Sequence, residues 1–243
     1  MTSHVDLDEL RRNCGYSAIH DFRLPVGLSV GDLQALNSTA HDMLPLDRGD
    51  TLFRQGESFG ALYVVRSGSL KTFVDGSEGD LQVLGFHLPG DIMGIGGLTN
   101  EHYPCSAEAL ERSSVCELRY AQLQEVSASL PALHHQLIRV ISGALVTEQR
   151  HLVMMGKQQA QRRLAFFIRR MADRYERLSR DPQELKLSMS RSDIANYLGL
   201  ALETVSRLFT RMESDGLLAV NRKSIRILRR DLLNDLCGGE IDI

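Results

Sequence analysis

Residues 190–218, Ser-Arg-Ser-Asp-Ile-Ala-Asn-Tyr-Leu-Gly-Leu-Ala-Leu-Glu-Thr-Val-Ser-Arg-Leu-Phe-Thr-Arg-Met-Glu-Ser-Asp-Gly-Leu-Leu, leave the backbone few choices. Ser190 and Asp193 have the spacing of a capping box, in which a hydroxyl and a carboxylate satisfy the first free N–H groups of a helix. Ile194, Ala195 and Leu198 give that helix an apolar side, and Gly199 permits the tight turn that ends it. Leu202 is placed to cover the turn. A second helix follows, with Val205, Leu208, Phe209 and Met212 on its apolar face. Glu203, Ser206 and Arg207 stand at i, i+3 and i+4, so they are neighbours on the opposite face. After Gly216 the pattern alternates through Leu218 and Val220, crosses Asn221-Arg222-Lys223-Ser224, and resumes at Ile225 and Ile227. That is a hairpin with a basic tip. Together these features predict a winged helix-turn-helix, whose second helix can enter a DNA groove.

The charge distribution agrees. The chain of 243 residues has a formal net charge of −3, which conceals two opposite halves. Residues 157–230 hold 17 Lys and Arg against 8 Asp and Glu, whereas the remainder holds 11 against 23. An acidic body carrying a basic module is the electrostatic pattern of a regulatory domain with a DNA-binding arm. No apolar run approaches the ~18 residues of a membrane span, and Met-Thr-Ser-His-Val-Asp has neither the basic start nor the apolar stretch of a secretory signal. Cys14, Cys105, Cys116 and Cys237 are far apart, without paired spacing. Unpaired thiols and a cytoplasmic location are therefore expected, with no membrane partner.

The length leaves room for two domains. Residues 1–28 form an N-terminal extension, and residues 29–40 suggest a short capped helix. From about residue 43 to 120 short β runs alternate with turn signals. The clearest strands are 51–53, 61–65, 69–74, 81–86 and 114–118, separated by Gly49-Asp50, Gly56-Glu57, Ser67-Gly68, Gly79-Asp80 and Pro89-Gly90-Asp91. Many short strands at such intervals predict a closed barrel or jelly roll over residues 29–130. Residues 131–157 then form a long helix opened by Pro131. Leu137, Ile141, Ala144, Leu145, Glu148, Leu152 and Met155 trace a near-heptad seam on it, which predicts a coiled-coil homodimer. Glu148 would meet its own copy there and weaken the pair by like-charge repulsion. Gly156-Lys157 is a hinge, and residues 158–243 form the DNA-binding domain, opening on an amphipathic helix with Leu164, Phe167, Ile168 and Met171. The fold class is α+β: β-roll, dimerisation helix, winged helix-turn-helix.

This order of elements resembles the CRP/FNR superfamily of bacterial transcription regulators over about residues 13–230. The FNR branch is matched by Tyr63-Val-Val-Arg-Ser-Gly-Ser-Leu-Lys, Gly85-Phe-His-Leu-Pro-Gly-Asp and Asp193-Ile-Ala-Asn-Tyr-Leu-Gly-Leu. Most specific is Glu203-Thr-Val-Ser-Arg207, the Glu-x-x-Ser-Arg signature of the FNR recognition helix. The resemblance implies an inverted repeat of TTGAT-type half-sites on double-stranded DNA. Arg207 would donate to guanine, Glu203 accept from cytosine, and Ser206 help read the thymine end. Arg191 and Thr204 would hold phosphates. It also implies contact with RNA polymerase through barrel loops, at Ser67 and Asp80, and a place in redox, oxygen or anaerobic-metabolism control.

The input signal is harder to read. The cyclic-nucleotide branch holds its ligand's phosphate with an Arg-Ser or Arg-Thr pair, yet no arginine stands beside Ser106. A buried phosphate without a cation is costly, which argues against cyclic AMP. The FNR branch binds a [4Fe-4S] cluster through four cysteines. Cys14 and Cys116 fall where two of them belong, but Ser17 and Arg23 take the other two positions, which argues against the cubane. Cys14, His20 and Cys116 leave haem or another metal open, and Cys105 a redox role. A small-molecule or haem ligand in the β-roll, or a ligand-binding module without specific DNA recognition, are the alternative readings. Enzyme signatures are missing: there is no P-loop, nucleophile elbow or HExxH, and Gly94-Ile-Gly-Gly97 lacks the spacing and following helix of a phosphate loop.

Overall fold

Ala61-Leu-Tyr-Val-Val is buried at every position, which a strand achieves only when both its faces are covered. The computed structural model describes residues 40–76, 81–129, 131–157 and 159–237. In it, β1 (Ala40–Asp42), β8 (Ser114–Arg119), β3 (Ala61–Ser67) and β6 (Ile92–Met93) form one antiparallel sheet, and β2 (Thr51–Phe53), β7 (Ser106–Ala109), β4 (Leu70–Asp75) and β5 (Leu81–His87) form a second. Ala61, Tyr63 and Val65 of β3 enter a core with Phe53, Leu70, Met93, Tyr103, Ala107 and Val115. Leu62 and Val64 point the other way, into a cluster with Cys116, Leu118 and Leu123. Successive strand residues face opposite sides, so one five-residue run supplies both clusters.

Aromatic rings fill the first core. Phe53 stacks on Tyr103 at 4.2 Å, Phe59 meets Tyr103 edge-on at 5.4 Å, and the Tyr103 hydroxyl donates to the Ala61 carbonyl at 2.8 Å. The β3–β4 turn depends on Gly68. Its φ is +77°, and a Cβ there would lie 2.6 Å from the Arg112 carbonyl oxygen. One short helix, α1 (Gly97–Asn100), follows Gly94-Ile-Gly-Gly97, contrary to the sequence expectation. It is a single turn whose N-cap makes no side-chain hydrogen bond.

Helices α2 (Tyr120–Ser129) and α3 (Pro131–Lys157) come next, and the division between the two compact units falls inside α3, between Gly143 and Ala144. The second unit contains the last half of α3, α4 (Ala160–Arg177), β9 (Glu184–Lys186), α5 (Arg191–Tyr197), α6 (Leu202–Ser214), the hairpin β10 (Leu218–Asn221) and β11 (Ser224–Ile227), and α7 (Arg230–Cys237). Leu164, Phe167, Ile168 and Met171 of α4 are all buried, as the amphipathic pattern requires. β11 pairs with both β10 and β9, making a three-stranded wing. The alternation at 218–227 exposed two of these strands to sequence reading, but β9 carries only one buried residue, Leu185, and gave no signal. No helix among the described residues is long and apolar enough to cross a membrane.

Candidate nucleic-acid interface

The capping box at the start of α5 is formed. The Asp193 backbone N–H donates to Ser190 Oγ at 3.0 Å, and the Ser190 N–H donates to the Asp193 carboxylate at 2.9 Å. Gly199 adopts φ +60° in the turn. Leu202 does not cover that turn as expected; it is 43% exposed. Met155 at the end of α3 does so instead, its terminal methyl lying 2.6 Å from where a Gly199 Cβ would stand. Local sequence could not show this, because the covering residue comes from 44 positions upstream.

Val205, Phe209 and Met212 anchor α6 with almost no exposure, fixing its rotation. Glu203, Ser206 and Arg207 are consequently exposed together, while Thr204 is half-buried. The side chains of Glu203, Ser206 and Arg207 make no hydrogen bond or ion pair among the described residues. Thr210 and Arg211, one turn further, extend this exposed face. The i+4 step from Ser206 and Arg207 along the helix is the sequence signal that points to them. Arg211 Nε lies 3.9 Å from Asp215, an exposed pair that costs little to open.

Arg191, the phosphate contact that the resemblance implies, is half-buried. Its guanidinium lies 3.4 Å over the Phe209 ring, and its Nη2 donates to the Arg222 carbonyl at 3.5 Å. Burial lowers its pKa. Arg191 thus ties α5, α6 and the wing together. The wing turns through Arg222 and Lys223, with Arg222 at φ +54°, and Lys223 Nζ donates to the Ser188 carbonyl at 2.6 Å.

On α3, Ile138, Ile141, Leu145 and Leu152 are 51%, 39%, 59% and 69% exposed. With Glu148 they run 3-4-3-4, a strict heptad stripe. Two members of the expected seam leave it. Leu137 packs on the Leu62–Val64–Leu118 cluster, and Met155 faces Gly199. The sequence pattern merged an inward and an outward face because both are apolar. Ala144 is half-buried beside the stripe. Glu148 is exposed, yet crowding by its neighbours desolvates its carboxyl and raises its pKa, and Arg170 pulls the other way. Solvent screening keeps the energetic weight of that shift small.

In the barrel, Ser67 is exposed, its Oγ 2.7 Å from Ser114 Oγ; Asp80 lies outside the described residues. So do Cys14, Ser17, His20 and Arg23, and residues 29–39 of the helix expected at 29–40, while its last residue, Ala40, opens β1 instead. Cys116 is buried among Leu62, Val64 and Leu118. Contrary to the expectation of unpaired thiols, it is disulfide-bonded, whereas Cys105 and Cys237 are free. Spacing along a chain says nothing of which cysteines approach in space, so the sequence could not reveal it. A sulfur in a disulfide is no thiolate. Among the described residues, no group of three His, Cys, Asp or Glu is placed to hold a metal. A Cβ on Gly97 would lie 2.4 Å from the Phe59 ring and one on Gly96 2.6 Å from Pro104, while Ser106 Oγ accepts from the Gln55 N–H at 3.0 Å. Burial pushes the Cys105 thiol up to about 11, away from the reactive range.

Comparison with known proteins agrees with this architecture. Residues 43–129 match the cyclic nucleotide-binding domain family and residues 162–236 the Crp-like helix-turn-helix domain family. The transcriptional activator protein anr of Pseudomonas aeruginosa is 40% identical over 230 residues, covering 95% of this chain and 94% of that protein. The chain belongs to the CRP/FNR family of transcription regulators. The fumarate and nitrate reduction regulatory protein of Escherichia coli K12, another member, is 37% identical over 93% of this chain and 90% of its own length. Among solved structures, FixK2 from Bradyrhizobium japonicum superposes with a TM-score of 0.76 at 26% identity, over 84% of this chain and 99% of that one. Like other CRP/FNR regulators the chain is a DNA-binding transcription factor, not an enzyme.

Proposed function

We propose that two copies of this regulator pair through the α3 stripe and bind an inverted repeat of TTGAT-type half-sites, activating transcription through contact with RNA polymerase. The observation that carries the reading is the exposed, unpaired trio Glu203, Ser206 and Arg207 on a helix whose rotation is fixed by Val205, Phe209 and Met212. A guanidinium fork suits guanine O6 and N7, and a carboxylate suits the cytosine amino group. Apolar residues as exposed as Leu145 and Leu152 call for a partner, and a second copy of the same stripe supplies one with the two-fold symmetry that an inverted repeat needs. Glu148 in that stripe keeps the pair weak; Glu148→Ala tightens self-association in sedimentation, and unchanged association removes this role.

The relatives named for activation and for fumarate and nitrate reduction support a place in anaerobic or redox control. We infer that the control does not pass through a four-cysteine cubane or cyclic AMP. Ser17 and Arg23 supply no thiolate, and no arginine stands beside Ser106 to answer a cyclic nucleotide's phosphate. Ser67 and Asp80 are the polymerase-facing candidates in the barrel. A gel shift with a TTGAT inverted repeat against scrambled DNA of the same composition tests the reading. Preferential retardation of the repeat supports it, and equal retardation of both overturns it.

A further inference from the structure

Within the second unit, the end of α3 is fastened to the helix-turn-helix at two points. Arg163 of α4 donates through Nη2 to the Met155 carbonyl at 2.7 Å and through Nη1 to the Leu198 carbonyl at 3.1 Å. Met155 lies in the last turn of α3 and Leu198 is the C-cap of α5. Helix C-termini present unsatisfied carbonyls and a partial negative charge, and one guanidinium here answers two of them. A lysine, with its single ammonium head on a flexible stem, cannot reproduce that fork. The second point is His151 of α3, whose ring lies flat on Tyr197 of α5, centroids 4.4 Å apart and planes 22° from parallel. Phe167 backs the same tyrosine at 6.0 Å.

We propose that Arg163 and His151 are positioning residues for DNA recognition, fixing the helix-turn-helix on the end of α3 and so setting the half-site separation the dimer accepts. The proposal rests on the dimeric reading above. In such a dimer α3 carries the pairing stripe, so whatever fixes α5 and α6 to α3 also fixes the two recognition helices relative to each other. Neither residue touches the exposed Glu203–Arg207 face, so base preference and separation preference are distinguishable properties.

The site also disfavours a charged imidazole, because it is desolvated and faces arginines. His151 Nδ1 is buried without a hydrogen-bond partner. Arg170 and Arg163 of α4 act on it, while Arg170, Glu148 of α3 and Arg174 of α4 act on its stacking partner Tyr197, whose hydroxyl lies 3.4 Å from Arg170 Nη1. Desolvation first, then Arg170 and Arg163, lower the imidazole pKa. A lowered histidine pKa gives stability that is complete above the ordinary value near 6.5 and is lost as the pH falls through it. Glu148, raised by desolvation, works in the opposite sense at lower pH.

The test measures anisotropy of the full chain on duplexes with two TTGAT half-sites, their separation varied in single base-pair steps, and on a one-half-site duplex. The native chain should favour one separation over its neighbours by about tenfold or more, a preference that falls below about threefold in Arg163→Ala with the half-site base preference intact. Arg163→Lys should fall between them, a variant that keeps the fold if alanine does not. Going from pH 7.5 to 5.5 should erode the native preference, and His151→Phe, which keeps the stack and removes the titration, should abolish that erosion. Either folded arginine variant retaining the full preference, or His151→Phe keeping the native pH profile, overturns the proposal. A native chain that binds every duplex no better than scrambled DNA removes the dimeric reading itself, and this inference with it.

Discussion

Lys71 and Glu108 pair across β4 and β7 at 3.3 Å, and Ser69 reaches both Ser113 and Glu111, so the barrel turns its polar side chains on one another. The recognition helix does the reverse. Glu203, Ser206 and Arg207 share one exposed face and are left to solvent, although Val205 and Phe209 behind them are buried like the barrel core. Buried polar groups must be paired or they cost stability, so the barrel's pairing explains its own persistence. An exposed, rotationally fixed set with no internal partner contributes nothing to folding and is left for something outside the chain. The output surface therefore announces its chemistry, while the β-roll turns Phe53, Tyr63 and Tyr103 into its own core.

Three substitutions and one reactivity measurement would break or sharpen that contrast. The largest effect belongs to the barrel: Gly68→Ala forces a left-handed φ on alanine and drives its Cβ into the Arg112–Ser113 backbone. A loss of about 2–6 kcal/mol is expected from strain and overpacking together, read by chemical denaturation. Leu145→Asp comes next, since a carboxylate in the pairing stripe would be desolvated opposite its own copy. Self-association should weaken by about 100-fold in sedimentation equilibrium while the monomer melts unchanged. Third, Cys105, with its thiol raised to about 11, should react with a thiol reagent at pH 7 more than about tenfold slower than free cysteine. Fast labelling would show that the barrel is less closed than its packing indicates. Ser190→Ala, the smallest, removes the cap of α5 and should cost about 1 kcal/mol, with specificity preserved.

The contrast also explains what the sequence could disclose. Ser190, Gly199 and the apolar step Val205–Phe209–Met212 act over one or two turns, so the helix-turn-helix was legible in the chain itself. The longer barrel strands were legible for the same reason, but β6 has two residues and β7 reads Ser-Ala-Glu-Ala, with no β-branched side chain to mark it. Contacts between distant segments were not legible. Met155 over Gly199, Arg191 on Phe209 and the inward turn of Leu137 all depend on packing that local periodicity does not encode. Helix periodicity found the apolar residues of α3; only the fold separated the stripe at Ile138, Ile141, Leu145 and Leu152 from the side facing the protein.

The central claim is that Arg207 reads a base, and the affinity of Arg207→Ala for half-sites substituted one position at a time tests it most directly. The account predicts that discrimination of ~1–3 kcal/mol disappears at a single G·C position in each half-site and persists at the others. A loss of affinity spread evenly over all sequences would make Arg207 a phosphate contact and contradict it.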